Sequence, residues 1–243
     1  MTDNVIIIPT RLEATRLPNK PIKKINNKEM ILHVYEAAKK ANIGEVIVAS
    51  PNQQIYELIT STKGICVKTR PDHKTGTDRI FEVFDKFLKR KPQIIINLQG
   101  DEPFIDKEAI GRLIKSFDDP DVKISSLMTN FQNFKEITNP NNVKVIVDNH
   151  NDAIYFSRLP IPYSSNKIED FNRHIGIYAF TRESLIEFSK LERSKLEIIE
   201  SLEGIRIIEN SKKIRMIMTS FHGISIDTPE DLIKARKFSS SND

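Results

Sequence analysis

The apolar positions of this chain fall into short dense runs separated by amphipathic stretches. VIIIP (5–9), EVIVAS (45–50), ICVKT (65–69) and QIIINLQ (93–99) are runs of strand length with few polar interruptions, the pattern of strands buried on both faces. Between them the period lengthens. KEMILHVYEAAKKAN (28–42) sets Met30, Ile31, Val34, Ala37, Ala38 and Ala41 on one helical face, and a second helix runs through Ile55, Leu58 and Ile59. TDRIFEVFDKFLKR (77–90) predicts a third helix with Thr77 as its N-cap, and DKEAIGRLIKSF (106–117) a fourth with an acidic first turn. Strand and helix alternate through this half of the chain, which implies an α/β fold with a doubly wound, mainly parallel sheet. In such sheets ligands bind beyond the carboxyl ends of the strands, where the strand order reverses.

The pattern changes in the second half. NVKVIVD (142–148) and AIYFSR (153–158) flank the turn-rich DNHND and predict a β-hairpin. HIGIYAF (174–180) is a further strand, followed by helices at about 182–191 and 195–210, the apolar segments RMIMTSF and GISID, the latter read as a late strand ending at Asp227, and a final helix opened by TPEDL. No repeat or low-complexity linker divides the chain. It reads as a single domain over 1–243, with a hairpin-containing insertion at about 133–205 that offers a dimer surface.

Composition narrows the function. The chain is 243 residues long, 29% charged, with a formal net charge of +4. That excess is small, and no basic stripe with interleaved aromatics runs through the chain, which argues against a nucleic-acid partner and suits a small anionic substrate. Cys66 is the only cysteine, so an internal disulfide is impossible, and the residue reads as a core thiol. Asp3 precedes an apolar run too short for a signal-peptide core, and no stretch is long enough to span a membrane. The expected setting is the cytoplasm, with no membrane partner.

The charge has one notable concentration. PTRLEATRLPNKP (9–21), directly after the first strand, carries Arg11, Arg16 and Lys20 on a stretch stiffened by Pro9, Pro18 and Pro21. It has no glycine, so side chains rather than a backbone cradle would supply the positive charge. Arginine forks and a lysine point charge suit phosphate oxygens. The same residues also fit a solvated basic loop. NLQGDEP (97–103) puts Gly100, Asp101 and Glu102 at the end of another buried strand, where a carboxylate facing phosphates suits Mg²⁺. In SIDTPEDL (225–232), Asp227 reads first as an N-cap, with Pro229 early in the helix and Glu230 near its third position. It also stands where a second Mg²⁺ ligand would lie.

RPDHKTGTDR (70–79) holds Thr75, Gly76 and Thr77 just before a helix, suited to a base edge or to an ordinary capped turn; His73 reads as a loop residue without a metal-spaced partner. Arg158, Arg173, His174 and Tyr178 lie in the hairpin region, with His174, Gly176 and Tyr178 on one strand face. A cation with imidazole and hydroxyl groups suits a polyhydroxylated acid, and equally an ordinary surface hairpin.

Taken in order, IIIPTRLEATRLPNKPI, RPDHKTGTDR, NLQGDEP, NPNNVKVIVD, AIYFSRLPIP, RHIGIYAF, SLEGIR and IDTPEDL resemble the bacterial 3-deoxy-manno-octulosonate (Kdo) cytidylyltransferases over nearly the whole chain. The resemblance implies a nucleotide-diphospho-sugar transferase-like fold and the reaction of CTP with Kdo to give CMP-Kdo and pyrophosphate, for lipopolysaccharide synthesis. It also implies Mg²⁺ dependence and a homodimer. Carried onto this sequence, Arg11, Arg16 and Lys20 would bind the triphosphate, and Thr10 with Thr75, Gly76 and Thr77 the cytidine. Asp101 and Asp227 would hold Mg²⁺ and, with Lys20 and Arg11, form the catalytic group; Gln99, Arg158, His174, Tyr178 and Glu203 would bind the sugar acid. The chain departs from the family at four positions. Thr10 stands for a usual Ala, Ala14 for Ser, Asn19 for Gly, and Gly204 for Gln in the segment Leu202-Glu203-Gly204-Ile205-Arg206. The last change is expected to loosen one contact to the sugar acid and leaves a modified Kdo, such as the 8-amino variant, open.

Overall fold

The computed structural model describes residues 4–13, 16–164 and 167–240, so Ala14 lies outside the described residues. The chain folds into two compact units, one formed by residues 1–110 with 222–243 and the other by residues 111–221.

The first unit is built on four parallel strands: β1 (Asn4–Pro9), β4 (Glu45–Ser50), β5 (Ile65–Lys68) and β6 (Ile94–Leu98). A two-residue ribbon of β2 (Lys24–Ile25) and β3 (Lys28–Glu29) stands apart from them. β1 pairs with β4 on one side and β6 on the other, and β4 pairs with β5. The order β5-β4-β1-β6 therefore reverses direction between β1 and β6, which is the topological switch point of a doubly wound sheet. Ile6, Ile7, Ile8, Val48, Ile95, Ile96 and Leu98 are fully buried, as the continuous apolar runs predict.

Helices α1 (Met30–Ala41), α2 (Gln53–Ser61) and α3 (Gly76–Glu82) connect the strands, and the chain leaves this unit along α4 (Lys107–Lys115). The cap of α3 is Thr75, not the expected Thr77: the Thr75 hydroxyl accepts from the Asp78 N–H, and the Asp78 carboxylate accepts from the Thr75 N–H. Thr77 is instead buried, where its hydroxyl accepts from Asn97 Nδ2 at 3.0 Å.

The second unit contains β7 (Ile124–Asn130), α5 (Phe134–Thr138), β8 (Lys144–Val147), β9 (Ala153–Ser157), β10 (Asn172–Thr181), α6 (Arg182–Ser189), α7 (Lys195–Glu200), α8 (Gly204–Glu209) and β11 (Arg215–Met218). β8 and β9 form the predicted antiparallel hairpin, and β8 also pairs with β10. β7 lies between β10, antiparallel, and β11, parallel. The hydrophobic pattern does not reveal β7, because Ser125, Ser126 and Thr129 interrupt its apolar run. All three are buried, and Ser126 satisfies its hydroxyl on the Ile177 carbonyl at 2.7 Å.

Two other expectations change. The helix predicted over 195–210 is two helices, with Ser201 in the left-handed region at φ 55° between them. GISID is irregular rather than a strand; Ile226 N–H donates to the Asp101 carbonyl at 3.1 Å. Among the described residues no helix is long and apolar enough to cross a membrane.

Candidate active site

The carboxyl ends of β1 and β6 open into a cleft of about 350 Å³ in the first unit. Its lining includes Thr10, Arg11, Arg16 and Lys20 from the loop after β1, Thr75 and Gly76 before α3, Gln99, Gly100 and Asp101 after β6, and Asp227 before the helix Pro229–Ser240. Every candidate for nucleotide or metal binding therefore meets here except Thr77, which supports the wall from behind.

The backbone explains why they meet. Thr10 N–H continues the pairing of β1 by donating to the Ala49 carbonyl at 3.0 Å. Gly100 sits against the turn that follows β1: a Cβ there would stand 3.2 Å from the Pro9 carbonyl oxygen and from Thr10 Cβ, too close for most side chains. Asn52, after β4, staples the basic loop by accepting from Leu12 N–H and donating to the Glu13 carboxylate. Leu17 then leaves the loop for an apolar cluster shared with Ile25, Met30, Ile226, Leu232 and Ala235. Burying Leu17 and Ile226 together brings Lys20 and Asp227, 207 positions apart, to hydrogen-bond distance.

At the centre, Lys20 Nζ lies 2.8 Å from Asp101 Oδ2 and 3.0 Å from Asp227 Oδ1, and Arg16 reaches the same Asp227 oxygen at 3.3 Å. Burial disfavours the ammonium, but the two carboxylates outweigh that cost and hold its pKa above the ordinary lysine value. Asp227 is not the helix cap its spacing suggests. Thr228 and Asp231 cap that helix reciprocally, which leaves the Asp227 carboxylate to the cleft. Asn19 takes φ 57° immediately before Lys20, a left-handed conformation that asparagine tolerates better than most residues. The change from the usual Gly at this position therefore preserves the turn that aims the lysine.

Three further groups at this site give little sequence signal. Arg79 is buried and donates to the Thr69 hydroxyl and the Arg70 carbonyl. His73 Nε2 lies 2.6 Å from Glu82 Oε2, with both side chains under 10% exposed. Burial opposes the Glu82 charge, yet hydrogen bonds from His73 and the Arg70 N–H hold its carboxyl below the usual range. This pair spans a turn and a helix, so no period relates its members. Lys74 adds another cation to the lining. Cys66 is half-buried, and burial pushes its thiol up to about 12, in line with a structural cysteine.

The second unit gathers the other candidates. His174 packs its ring 4.8 Å from Phe156 and 5.3 Å from Tyr178, centroid to centroid. Its Nε2 meets Ser126 Oγ at 2.9 Å; because that hydroxyl donates to the Ile177 carbonyl, the imidazole is the donor to Ser126. Burial, with Arg173 nearby, pulls the His174 pKa down to about 3, so the ring is neutral at physiological pH. Burial and the Glu203 carboxylate push the Tyr178 hydroxyl well above its usual value. A bulge in β10 between Ile175 and Tyr178 breaks the simple alternation, yet the two rings still share a face.

Glu203 directly precedes α8, whose first residue Gly204 approaches Tyr178 so closely that a Cβ would lie 2.5 Å from its hydroxyl oxygen. The glycine that stands for the usual glutamine thus lies in a tight helix–tyrosine contact. Arg158, directly after β9, donates from Nε to the Glu200 carbonyl at 2.8 Å and from a terminal nitrogen to the Pro140 carbonyl at 2.9 Å. These carbonyls orient the guanidinium. Gln99 belongs to the first unit and lines its cleft.

The donor chemistry of the cleft fits a hard divalent cation. Asp101 and Asp227 turn carboxylate oxygens toward one point of positive charge, and Mg²⁺ is typically held by one or two carboxylates with phosphates and water completing its shell. Among the described residues no group of three or more His, Cys, Asp or Glu is placed to hold a metal ion, so phosphate oxygens would have to complete the site.

Comparison with known proteins places the chain in a family. The cytidylyltransferase family model matches residues 5–214. A 3-deoxy-manno-octulosonate cytidylyltransferase of Fusobacterium nucleatum is 44% identical, covering 93% of this chain and 92% of its own. One of Christiangramia forsetii is 41% identical over 96% of this chain and 95% of its own. A solved structure of CMP:2-keto-3-deoxy-manno-octonic acid synthetase complexed with CTP matches with a TM-score of 0.89 at 38% identity, covering 98% of this chain and 99% of that one. The 4-diphosphocytidyl-2C-methyl-D-erythritol synthase of Anaerococcus prevotii has a TM-score of 0.66 at 14% identity, covering 98% and 99%, and shares the fold. Strand order, cleft and comparisons converge: this chain belongs to the cytidylyltransferase family, and within it to the 3-deoxy-manno-octulosonate cytidylyltransferases.

Proposed function

We propose that the chain transfers the cytidylyl group of CTP to Kdo, giving CMP-Kdo and pyrophosphate for lipopolysaccharide synthesis, as a Mg²⁺-dependent homodimer in the cytoplasm. The observation that carries the reading is the meeting of the basic loop with Asp101 and Asp227 at the switch point of the sheet. The C2 hydroxyl of Kdo attacks the α-phosphorus in line, a new phosphorus–oxygen bond forms, and the bond to the β-phosphate oxygen breaks. The hydroxyl proton passes to solvent.

Arg11, Arg16 and Lys20 bind the triphosphate and offset charge on the departing pyrophosphate. Thr10, Thr75 and Gly76 contact the nucleoside, with Thr77 and Asn97 holding that wall from within. Mg²⁺ held by Asp101 and Asp227 would supply positive charge beside the α-phosphate. Arg158 pairs with the carboxylate of the sugar acid, while His174, Tyr178 and Glu203 engage its hydroxyls. Neutral His174 serves as a hydrogen-bonding group rather than a charge. Large apolar side chains exposed in the second unit, among them Ile154, Leu159, Tyr163 and Ile199, support a dimer surface there.

A pyrophosphate-release assay with CTP and Mg²⁺ tests the reading against Kdo, its 8-amino analogue and a sialic acid. Preference for Kdo is the expected result. Preference for the amino sugar or the sialic acid would reassign the acceptor, and CTP binding without release on any acid would make the protein a nucleotide sensor.

A further inference from the structure

Lys144 is a lysine that the chemistry above does not use, and its side chain is fully buried at the start of β8. Such burial of an ammonium is costly unless its donors are met. Here all three N–H directions find carbonyl oxygens: Arg158 at 2.6 Å, Asn142 at 2.7 Å and Asn139 at 3.3 Å. Two of these acceptors belong to the turn over residues 139–142, and Pro140 of that turn accepts from the Arg158 guanidinium. Lys144 therefore grips Arg158 twice, through its own carbonyl and through the turn that holds its side chain.

We propose that Lys144 is the positioning residue of Arg158, fixing the guanidinium for the carboxylate of the acceptor acid. This rests on the reading of Arg158 as that carboxylate's anchor. The grip requires the ammonium, because a neutral amine has one donor fewer and loses the charge assistance of the rest. The charged groups facing Lys144 are Arg158 after β9, Glu200 of α7 and its cross-strand partner Arg173 on β10. Burial, then repulsion from Arg158, pull its pKa down to about 8 against the attraction of Glu200. The grip is thus expected to weaken at mildly alkaline pH.

The test is steady-state kinetics of wild type, Lys144→Met and Arg158→Gln between pH 6.5 and 9.5, with KM taken separately for Kdo and CTP. Lys144→Met should raise KM for Kdo roughly tenfold, the order expected for a lost charge-assisted contact, with KM for CTP within about twofold. The wild-type KM for Kdo should rise above pH ~8, and both variants should be high and flat with pH. If Lys144→Met does not fold, the wild-type and Arg158→Gln profiles alone decide. A wild-type KM for Kdo that stays flat to pH 9.5, an alkaline rise that persists in Arg158→Gln, or a Lys144→Met variant that matches wild type or raises both KM values equally would overturn the inference. An unchanged KM for Kdo in Arg158→Gln would instead defeat the anchor reading beneath it.

Discussion

Lys20 has two carboxylate partners with side-chain exposures of 24% and 21%, against 16% for its own, so water screens this cluster only partly. Removing the ammonium leaves Asp101 and Asp227 facing each other. Lys20→Met is expected to cost about 2 kcal/mol of stability, and Asp101→Asn in the same chain should recover part of that without restoring turnover. Urea unfolding of both variants checks the first point and pyrophosphate release the second. Because the folded pKa of Lys20 lies above its unfolded value, its contribution is complete at neutral pH and fades only in strong alkali.

His174 has the opposite sign. Its pKa falls from an unfolded value near 6.5 to about 3, so unfolding takes up a proton between those limits. Stability is full above pH ~6.5 and declines as pH drops, by up to about 1.4 kcal/mol per unit. A His174→Gln variant should show a shallower acid slope in urea midpoints between pH 4.5 and 7. At this scale the three cations and Asp101 were legible as candidates from residue type and position at a strand end, and the family motifs separated the cations from a solvated loop. Asp227 carried two readings, cap and metal ligand, because its spacing before Pro229 imitates a cap; Thr228 and Asp231 fill that role and leave its carboxylate to the cleft.

At the scale of elements, α7 and α8 matter most to the acid-binding group, since Glu200 ends the first, Gly204 opens the second and Glu203 lies between them. A buried pair joins them: Arg206 donates to both oxygens of Glu197 at 2.8 and 2.7 Å, with side chains 2% and 1% exposed. Removing Arg206 takes both of these bonds from the buried Glu197 carboxylate, which keeps Arg193 at 3.2 Å and the Ser194 N–H at 3.1 Å. Arg206→Met is expected to cost about 3–5 kcal/mol, whereas the double replacement Glu197→Met with Arg206→Met should recover much of it; thermal unfolding of the two variants distinguishes them. The sequence pattern joins the two helices into one because the apolar period continues across the left-handed Ser201. It also passes over β7, whose buried serines owe their place to hydrogen bonds with distant chain segments. Strands with unbroken apolar runs, and the hairpin with its turn signals, were legible because their cause is local.

For the whole molecule, the parallel order β5-β4-β1-β6 explains why a loop from the start of the chain and an aspartate near its end share one cleft. The switch point fixes the place, and the apolar cluster around Leu17 and Ile226 fixes the approach. The family resemblance had assigned the same residues from motif order alone; the physical reason for their convergence lies in packing that no local pattern encodes. The central claim is that Asp101 and Asp227 form the reacting centre of a CTP-dependent transferase. Turnover of Asp101→Asn and Asp227→Asn with CTP, Mg²⁺ and Kdo tests it most directly. Each variant should fold normally and lose at least about a hundredfold in kcat; near-wild-type turnover in both would contradict the account.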